Sequence, residues 1–316
     1  MAAQTSIEWC HHTFNPWIGC LKVHAGCTNC YAESFSKRTG KAKWGADGTR
    51  VKTSDDYWRQ PLKWNRAAEK AGERRRVFCA SMADVFEDWQ GPILDHHGAR
   101  LLYEGTAFDG KPFFGPATKV VSRGSRPATM DDLRCGVYAL IDATPWLDWL
   151  VLTKRPENVR RMWLPYVLVE NADGQRHDDV RTFRPNVWIG TSISDRKTAE
   201  IWLPRLLALR DLTPVLFVSA EPLLGPIDFS YDVDWVIVGG ESGPRARPCR
   251  QTWIRDIVRQ CADFERPCFV KQFGSNAEEG FGVHRKLLLK DSKGGDPTEW
   301  PEDLRVRQFP NMATVE

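Results

Sequence analysis

The sequence has no hydrophobic run long enough to span a bilayer, and its opening residues, MAAQTSIEWCHH, lack the basic-then-apolar order of a secretory leader. No membrane partner is expected, and the corresponding expectation is a cytoplasmic protein with reduced cysteines. A net charge of one sign is missing too. The 44 Lys and Arg stand against 41 Asp and Glu, a formal +3, which argues against nucleic-acid binding by bulk electrostatics and leaves a local basic groove open. Several catalytic signatures are absent: there is no G-x-x-x-x-G-K-[ST] phosphate loop, no H-E-x-x-H, no G-x-S-x-G and no G-x-G-x-x-G dinucleotide turn. Tyrosine is scarce, with 6 residues, whereas Trp numbers 14. Most Trp belongs in a core, but rings beside a site can stack bases.

What is present is the composition of a globular chain: 316 residues, 42% hydrophobic and 27% charged, with mean hydropathy -0.44. Such a chain buries a core without disulfides or metals. Short apolar runs at 77–82, 149–153, 187–192, 215–219, 235–239 and 268–271 each end in a polar or glycine cluster and precede a stretch with helical spacing. With a first strand expected at 7–10, the pattern suggests an α/β fold, a partial or complete (β/α) TIM-like barrel, with an open doubly wound sheet as the rival. Residues 195–209 and 252–262 read as outer helices packed on that sheet. The barrel is assigned to 1–275, with a Gly-, Pro- and Ser-rich insertion at about 104–127 that is a lid or a variable connection. A C-terminal extension at 276–316 is expected to form a hairpin between 286–290 and 304–308.

Four of the nine cysteines, Cys10, Cys20, Cys27 and Cys30, fall in the first thirty positions. The last three form C-x6-C-x2-C on a segment with Gly19 and Gly26. Two chemistries use such a trio. Zinc would take a fourth ligand from Cys10, His11, His12 or His24. An iron–sulfur cluster on three thiolates would leave one iron without a protein ligand, free to bind a small molecule. The trio follows the first expected strand and precedes a helix starting near Tyr31, so it would lie at the barrel mouth, where catalytic groups sit.

The other strand ends are polar as well: Ser81 and Asp84; Thr153, Lys154 and Arg155; Ser192 and Ser194; Ser219 and Glu221; Glu241 and Ser242; Lys271 and Gln272. In a barrel these converge on one cavity, although loops are polar in any case. Within VIVGGESG, Gly239 and Gly240 let backbone approach a ligand and Glu241 can accept from an amine or a ribose. His96 and His97 read as solvated surface, and Cys79, Cys135, Cys249, Cys261 and Cys268 as small buried hydrophobes.

Taken together, WCHHTFNPWIGCLKVHAGCTNCYAESF, VFCASMADVFED, LVLTKRPENV, SAEPLLGPI, VIVGGESGPRARP and CFVKQFG resemble the phage-encoded three-cysteine-motif proteins, whose domain is related to radical S-adenosylmethionine (SAM) enzymes. The likeness runs from Trp9 to Gly274. The cysteine spacing departs from the commonest pattern of those enzymes, C-x3-C-x2-C, by three residues between the first two cysteines. The resemblance implies a barrel of the radical SAM type and a [4Fe–4S] cluster on Cys20, Cys27 and Cys30, with SAM chelating the free iron. An electron donor would drive cleavage of SAM to methionine and a 5′-deoxyadenosyl radical. By position, Gly239, Gly240 and Glu241 suit the methionine end or the ribose of SAM, and Ser81 and Asp84 are a competing set.

The implied substrate is nucleic acid (DNA) or a modified nucleotide in a host cytoplasm. The implied reaction is isomerisation of an amino-acid adduct of thymidine during phage DNA hypermodification, with a lesion-repair lyase as the alternative. Lys154, Arg155, Arg245, Arg247 and Arg250 would meet phosphates, and Trp17 or Trp44 would stack a base. No residue is assigned a catalytic role. Two other readings of the residues stay open: a zinc-stabilised nucleic-acid-binding module without catalysis, and a nuclease with Mg²⁺ held by Asp84, Glu221 and Glu241.

Overall fold

The computed structural model describes residues 5–104, 125–163, 166–170, 176–180, 183–280 and 285–311. Seven strands form one parallel sheet: β1 (His12–Phe14), β2 (Arg75–Cys79), β3 (Leu147–Thr153), β4 (Val187–Ile193), β5 (Val215–Ala220), β6 (Trp235–Gly239) and β7 (Cys268–Gln272). They are hydrogen-bonded in chain order from β1 to β7. Helices α1 (Tyr31–Thr39), α2 (Gln60–Ala71), α3 (Met130–Asp142), α4 (Pro156–Met162), α5 (Arg196–Leu207) and α6 (Gln251–Asp263) lie in the connections, and β5 runs to β6 through a loop. Sequential parallel order is what successive strand–helix units produce. The sheet curls into a half-barrel flanked by helices, a mixed α/β fold consistent with a partial (β/α) barrel. Among the described residues, no helix is long and apolar enough to cross a membrane.

Alternation along the strands divides the core into two layers. Val77, Trp149, Val151, Ile189, Leu216, Val218, Val236 and Val270 face outward, where they pack with Leu203 and Leu206 of α5 and Ile254 and Ile257 of α6. The opposite faces supply Phe78, Leu150, Trp188, Phe217, Trp235 and Phe269, an aromatic inner layer completed by Trp9 and Cys10. Gly190 makes room for it, since a Cβ there would lie 2.4 Å from a ring carbon of Phe217.

The first strand is at His12–Phe14, not at 7–10. Trp9 and Cys10 both enter the inner layer, which neighbours on a strand cannot do from one face. Residues 7–10 instead turn, with Cys10 N donating to Ile7 O at 3.3 Å. The expected hairpin of the extension is replaced by two separate bridges, Lys286 to Glu278 and Arg307 to Phe269. The second covers the free edge of the sheet. Val270 N donates to Val306 O and Gln308 N to Cys268 O, both at 2.8 Å, and the Phe309 ring lies 5.5 Å from Trp235. Arg307 then reaches Glu8 at 3.3 Å, so coil rather than an eighth strand spans part of the gap between β7 and β1 and protects an otherwise open edge. The insertion expected at 104–127 lies outside the described residues apart from its ends, where Leu102–Glu104 pairs with Ser125–Pro127.

Candidate functional site

The chain leaves β1 at Phe14 and crosses the C-terminal end of the sheet before entering α1, and the three cysteines lie on this crossing. Asn15 Oδ1 accepts from Met82 N at 2.8 Å and Ser81 Oγ at 3.2 Å, which ties the crossing to the exit of β2. Gly19 N donates to Met82 O at 3.1 Å. Gly19 has φ +119, and a Cβ there would sit 2.5 Å from Thr49 O, so the bend requires glycine.

From Cys20 onward, side chains at the ends of other strands hold the loop. Arg155, just after β3, lies with Nη1 3.7 Å from Cys20 Sγ and donates from Nη2 to Leu21 O at 2.7 Å. Glu87 accepts from Leu21 N at 2.7 Å. Arg247, beyond β6, donates to Ala25 O at 2.8 Å. Gly26 packs so closely on Ser194, after β4, that a Cβ would meet Ser194 Oγ at 2.5 Å. Asn29, between Cys27 and Cys30, donates to Glu241 Oε2 at 3.0 Å and to Arg245 O at 2.8 Å. Tyr31 Oη donates to Ser81 O at 2.7 Å.

The carboxylates at this end are engaged in holding cations. Asp84 accepts from Thr153 Oγ1, Phe86 N, Lys154 N and Arg155 Nη1 at 2.7–3.0 Å. Glu87 takes the fully buried Arg50 bidentately at 2.6 and 2.7 Å, and the Arg50 guanidinium lies 3.8 Å over the Trp89 ring. Glu241 binds Arg247 through Nη2 at 2.7 Å and Nε at 3.0 Å. Although burial pushes the Glu241 carboxyl up, Arg247 and Asn29 hold it below its ordinary value. Burial, with Glu87 and Asp84 adding, pushes the Cys20 thiol up to about 12, against the pull of Arg155. Burial also works against the charge on Arg155, but Asp84, Cys20 and Glu87 hold the guanidinium above its usual value. Arg155, expected at phosphates, is thus buried beneath the loop in an ion pair with Asp84, and Asp84 is saturated by protein donors.

The remaining expected residues take varied places. Glu221 Oε1 pairs with Lys271 Nζ at 2.9 Å, and Oε2 accepts from Ser219 Oγ at 3.2 Å. Gly239 lies beneath this pair, where a Cβ would be 2.7 Å from Glu221 Oε1, and Gly240 packs on Phe273, where a Cβ would be 2.1 Å from the carbonyl oxygen. Their lack of a side chain is accounted for by these protein contacts. Arg245 is exposed and Lys154 half-buried, and Arg250 faces Glu278 at 3.8 Å. Trp17 is fully buried and cannot stack a ligand, while Trp44 is half-buried beside Gly45, whose N–H donates to Cys20 O. Each carboxylate of the Mg²⁺ reading is committed to a cation of its own.

All nine cysteines are free thiols. Among the described residues, no group of three or more His, Cys, Asp or Glu side chains is gathered to hold a metal ion. Cys10 and His11 precede β1 and His12 begins it, all at the end opposite the loop. Burial pushes the Cys10 thiol up to about 12. His11 Nδ1 accepts from Arg76 N at 2.8 Å, and His12 stacks on Trp64 at 4.3 Å. His24 is in the loop itself, its Nδ1 accepting from Gly26 N at 3.0 Å. The donors that remain on the tethered loop are three thiols, with a guanidinium beside the first, and His24 Nε2, which is buried without a hydrogen-bond partner among the described residues; three thiolates are the donor type of an iron–sulfur cluster, and three thiolates with an imidazole that of a zinc ion.

Sequence reasoning missed Arg50, Glu87, Asn29 and Tyr31. The first two are far apart in sequence and carry no spacing signal, whereas Asn29 and Tyr31 flank Cys30 and were visible as neighbours. A family model described as protein of unknown function (DUF5131) matches residues 4–93 and 126–301. No curated protein matches the chain, and no solved structure does.

Proposed function

The chain belongs to the DUF5131 family, and we propose that it is a radical SAM enzyme with a [4Fe–4S] cluster on Cys20, Cys27 and Cys30 and a nucleic-acid base as substrate. The observation that supports this reading is the tethering of a three-thiol loop across the C-terminal end of a curled parallel sheet by residues following β2, β3 and β6. That end is where β/α barrels run their reactions. A structural zinc ion has no need of that position. It would also want four ligands about 3.8 Å apart, given Zn–S bonds near 2.3 Å, and three of the four candidates for the fourth ligand lie at the far end of β1.

When bound, a cluster held by three thiolates supplies one-electron reductive cleavage of SAM at its open iron. The chain's own residues would do the rest. Arg155 carries a positive charge 3.7 Å from Cys20 Sγ and favours the thiolate that a cluster requires. Glu241, through Asn29 and Arg247, fixes the turn that separates Cys27 from Cys30. The inner aromatic layer of Trp188, Phe217, Trp235 and Phe269 fills the barrel below, so water is excluded from that side. Arg245 and Lys154 are the cations available for a substrate phosphate, and isomerisation of an amino-acid adduct of thymidine is the reaction proposed.

The test is anaerobic purification with iron and sulfide measured per chain, followed by assay of 5′-deoxyadenosine and methionine formed from SAM under a chemical reductant. Cys30→Ala should abolish both readouts and leave the fold intact. Zinc without iron in freshly purified protein would overturn the proposal.

A further inference from the structure

Three large aromatic side chains are exposed among the described residues: Tyr31, Phe183 and Phe264. Phe183 precedes β4 and Phe264 precedes β7, so both belong to the end of the sheet away from the cysteines. Only Tyr31 stands at the mouth, and it is 57% exposed. A ring of this size is worth about 1.5–3 kcal/mol when buried, so leaving it in water directly after a tethered loop calls for a reason. Its position is also fixed. Tyr31 is the first residue of α1, it follows Cys30 directly, and its hydroxyl is spent on Ser81 O at 2.7 Å. What remains to offer is the face of a ring whose orientation is set in advance.

The same end of the sheet carries an acceptor and a donor held side by side. Glu221 and Lys271, at the ends of β5 and β7, pair at 2.9 Å, and both keep some exposure, 14% and 25%. Gly239 allows this pair to lie over β6, because any side chain there would displace Glu221 Oε1. An immobilised aromatic face and a carboxylate–ammonium pair at the same end of one sheet are the groups that hold a heteroaromatic base, by stacking on its plane and hydrogen bonding at its edge.

We infer that Tyr31 is the stacking platform for a heteroaromatic base bound at the mouth, with the Glu221–Lys271 pair contacting the edge of that base. The inference deepens the proposed function, since it rests on reading the mouth as a site for nucleotides, but it does not require the cluster. Two bases share this chemistry, the adenine of SAM and the base of the substrate. A stacked base is worth about 1–3 kcal/mol, which is about 5- to 150-fold in Kd.

The experiment measures binding of 5′-deoxyadenosine and of thymidine 5′-monophosphate to the full chain as purified anaerobically, by calorimetry, for wild type, Tyr31→Phe and Tyr31→Leu. Tyr31→Leu should lose about 5- to 150-fold for one of the two probes, and the probe affected identifies the base. Tyr31→Phe keeps the ring and should stay within about threefold of wild type. Three outcomes would overturn the inference: equal binding by wild type and Tyr31→Leu, an equal loss in Tyr31→Phe, which would make the hydroxyl tether the cause, or no binding of either probe by wild type. Iron and sulfide analysis of the same preparations separates the two proposals. Ring-dependent binding without iron would remove the cofactor reading and leave this one standing.

Discussion

Gly26→Ala tests whether the seating of the cysteine loop matters. The added Cβ would fall 2.5 Å from Ser194 Oγ and 2.6 Å from His24 Cε1, against an ordinary carbon contact of about 3.5–4.0 Å. His24 belongs to the loop and can swing with it. Ser194 is fixed at the end of β4, so the loop must lift by about 1 Å. Overpacking of this kind costs about 1–3 kcal/mol, and here the strain falls on the contacts of Leu21, Ala25 and Asn29 rather than on the sheet. The expected result is a chain with near wild-type urea unfolding and a several-fold loss of iron and sulfide after anaerobic reconstitution. Ser194 Oγ has no hydrogen-bond partner among the described residues, so Ser194→Ala alone should be neutral, and combining it with Gly26→Ala should restore loading. That coupling is the signature of a contact between the two positions. Wild-type loading in the single variant, or no recovery in the double, would refute the reasoning.

Glu87→Ala removes the partner of Arg50, which has no exposed side-chain surface, together with the acceptor for Leu21 N. Urea unfolding should report a loss of about 3–5 kcal/mol, as for a broken buried ion pair. Gly190→Ala would put a Cβ 2.4–2.5 Å from three ring carbons of Phe217. Thermal unfolding should show about 1–3 kcal/mol of overpacking, relieved by Phe217→Leu. His11 is lowered to about 4 by burial, with Arg76 and Arg75 adding to it, while the unfolded chain titrates near 6.5. Its contribution to stability is therefore present above pH 6.5 and lost as pH falls from there toward 4. After discounting for partial exposure it is about 1–2 kcal/mol. His11→Asn keeps an acceptor for Arg76 N, and the difference between its urea midpoint and that of wild type should vary with pH only in that window.

The six later strands were legible because each contains at least three successive apolar residues, mostly β-branched or aromatic, that are mostly buried, as a parallel sheet under helices demands. β1 was not, for a definite reason. Its three residues contain two polar side chains, and the stronger apolar signal just before it, Trp9 with Cys10, belongs to a turn that plugs the barrel. The abundance of tryptophan was informative about the core alone: Trp17, Trp58, Trp149, Trp188, Trp235 and Trp300 are all fully buried. The closure of the free edge by the tail was beyond sequence pattern, because a single bridged residue such as Arg307 leaves no periodic trace.

The site was legible as chemistry and illegible as pairing. Spacing brought Cys20, Cys27 and Cys30 forward, and polarity brought forward Asp84, Arg155, Glu241 and Arg247, all of which do stand at the end of the sheet where the loop crosses. What spacing cannot give is which polar group satisfies which, across separations of dozens of residues. Asp84 and Glu241 were read as groups for a ligand, yet an unpaired Arg155 or Arg247 beneath the loop would carry a large desolvation cost, and these two carboxylates are what offset it. Once paired, each arginine still has a guanidinium N–H for a loop carbonyl, Leu21 O in one case and Ala25 O in the other. The charges read as partners for a cofactor are therefore the groups that tie the loop to the sheet.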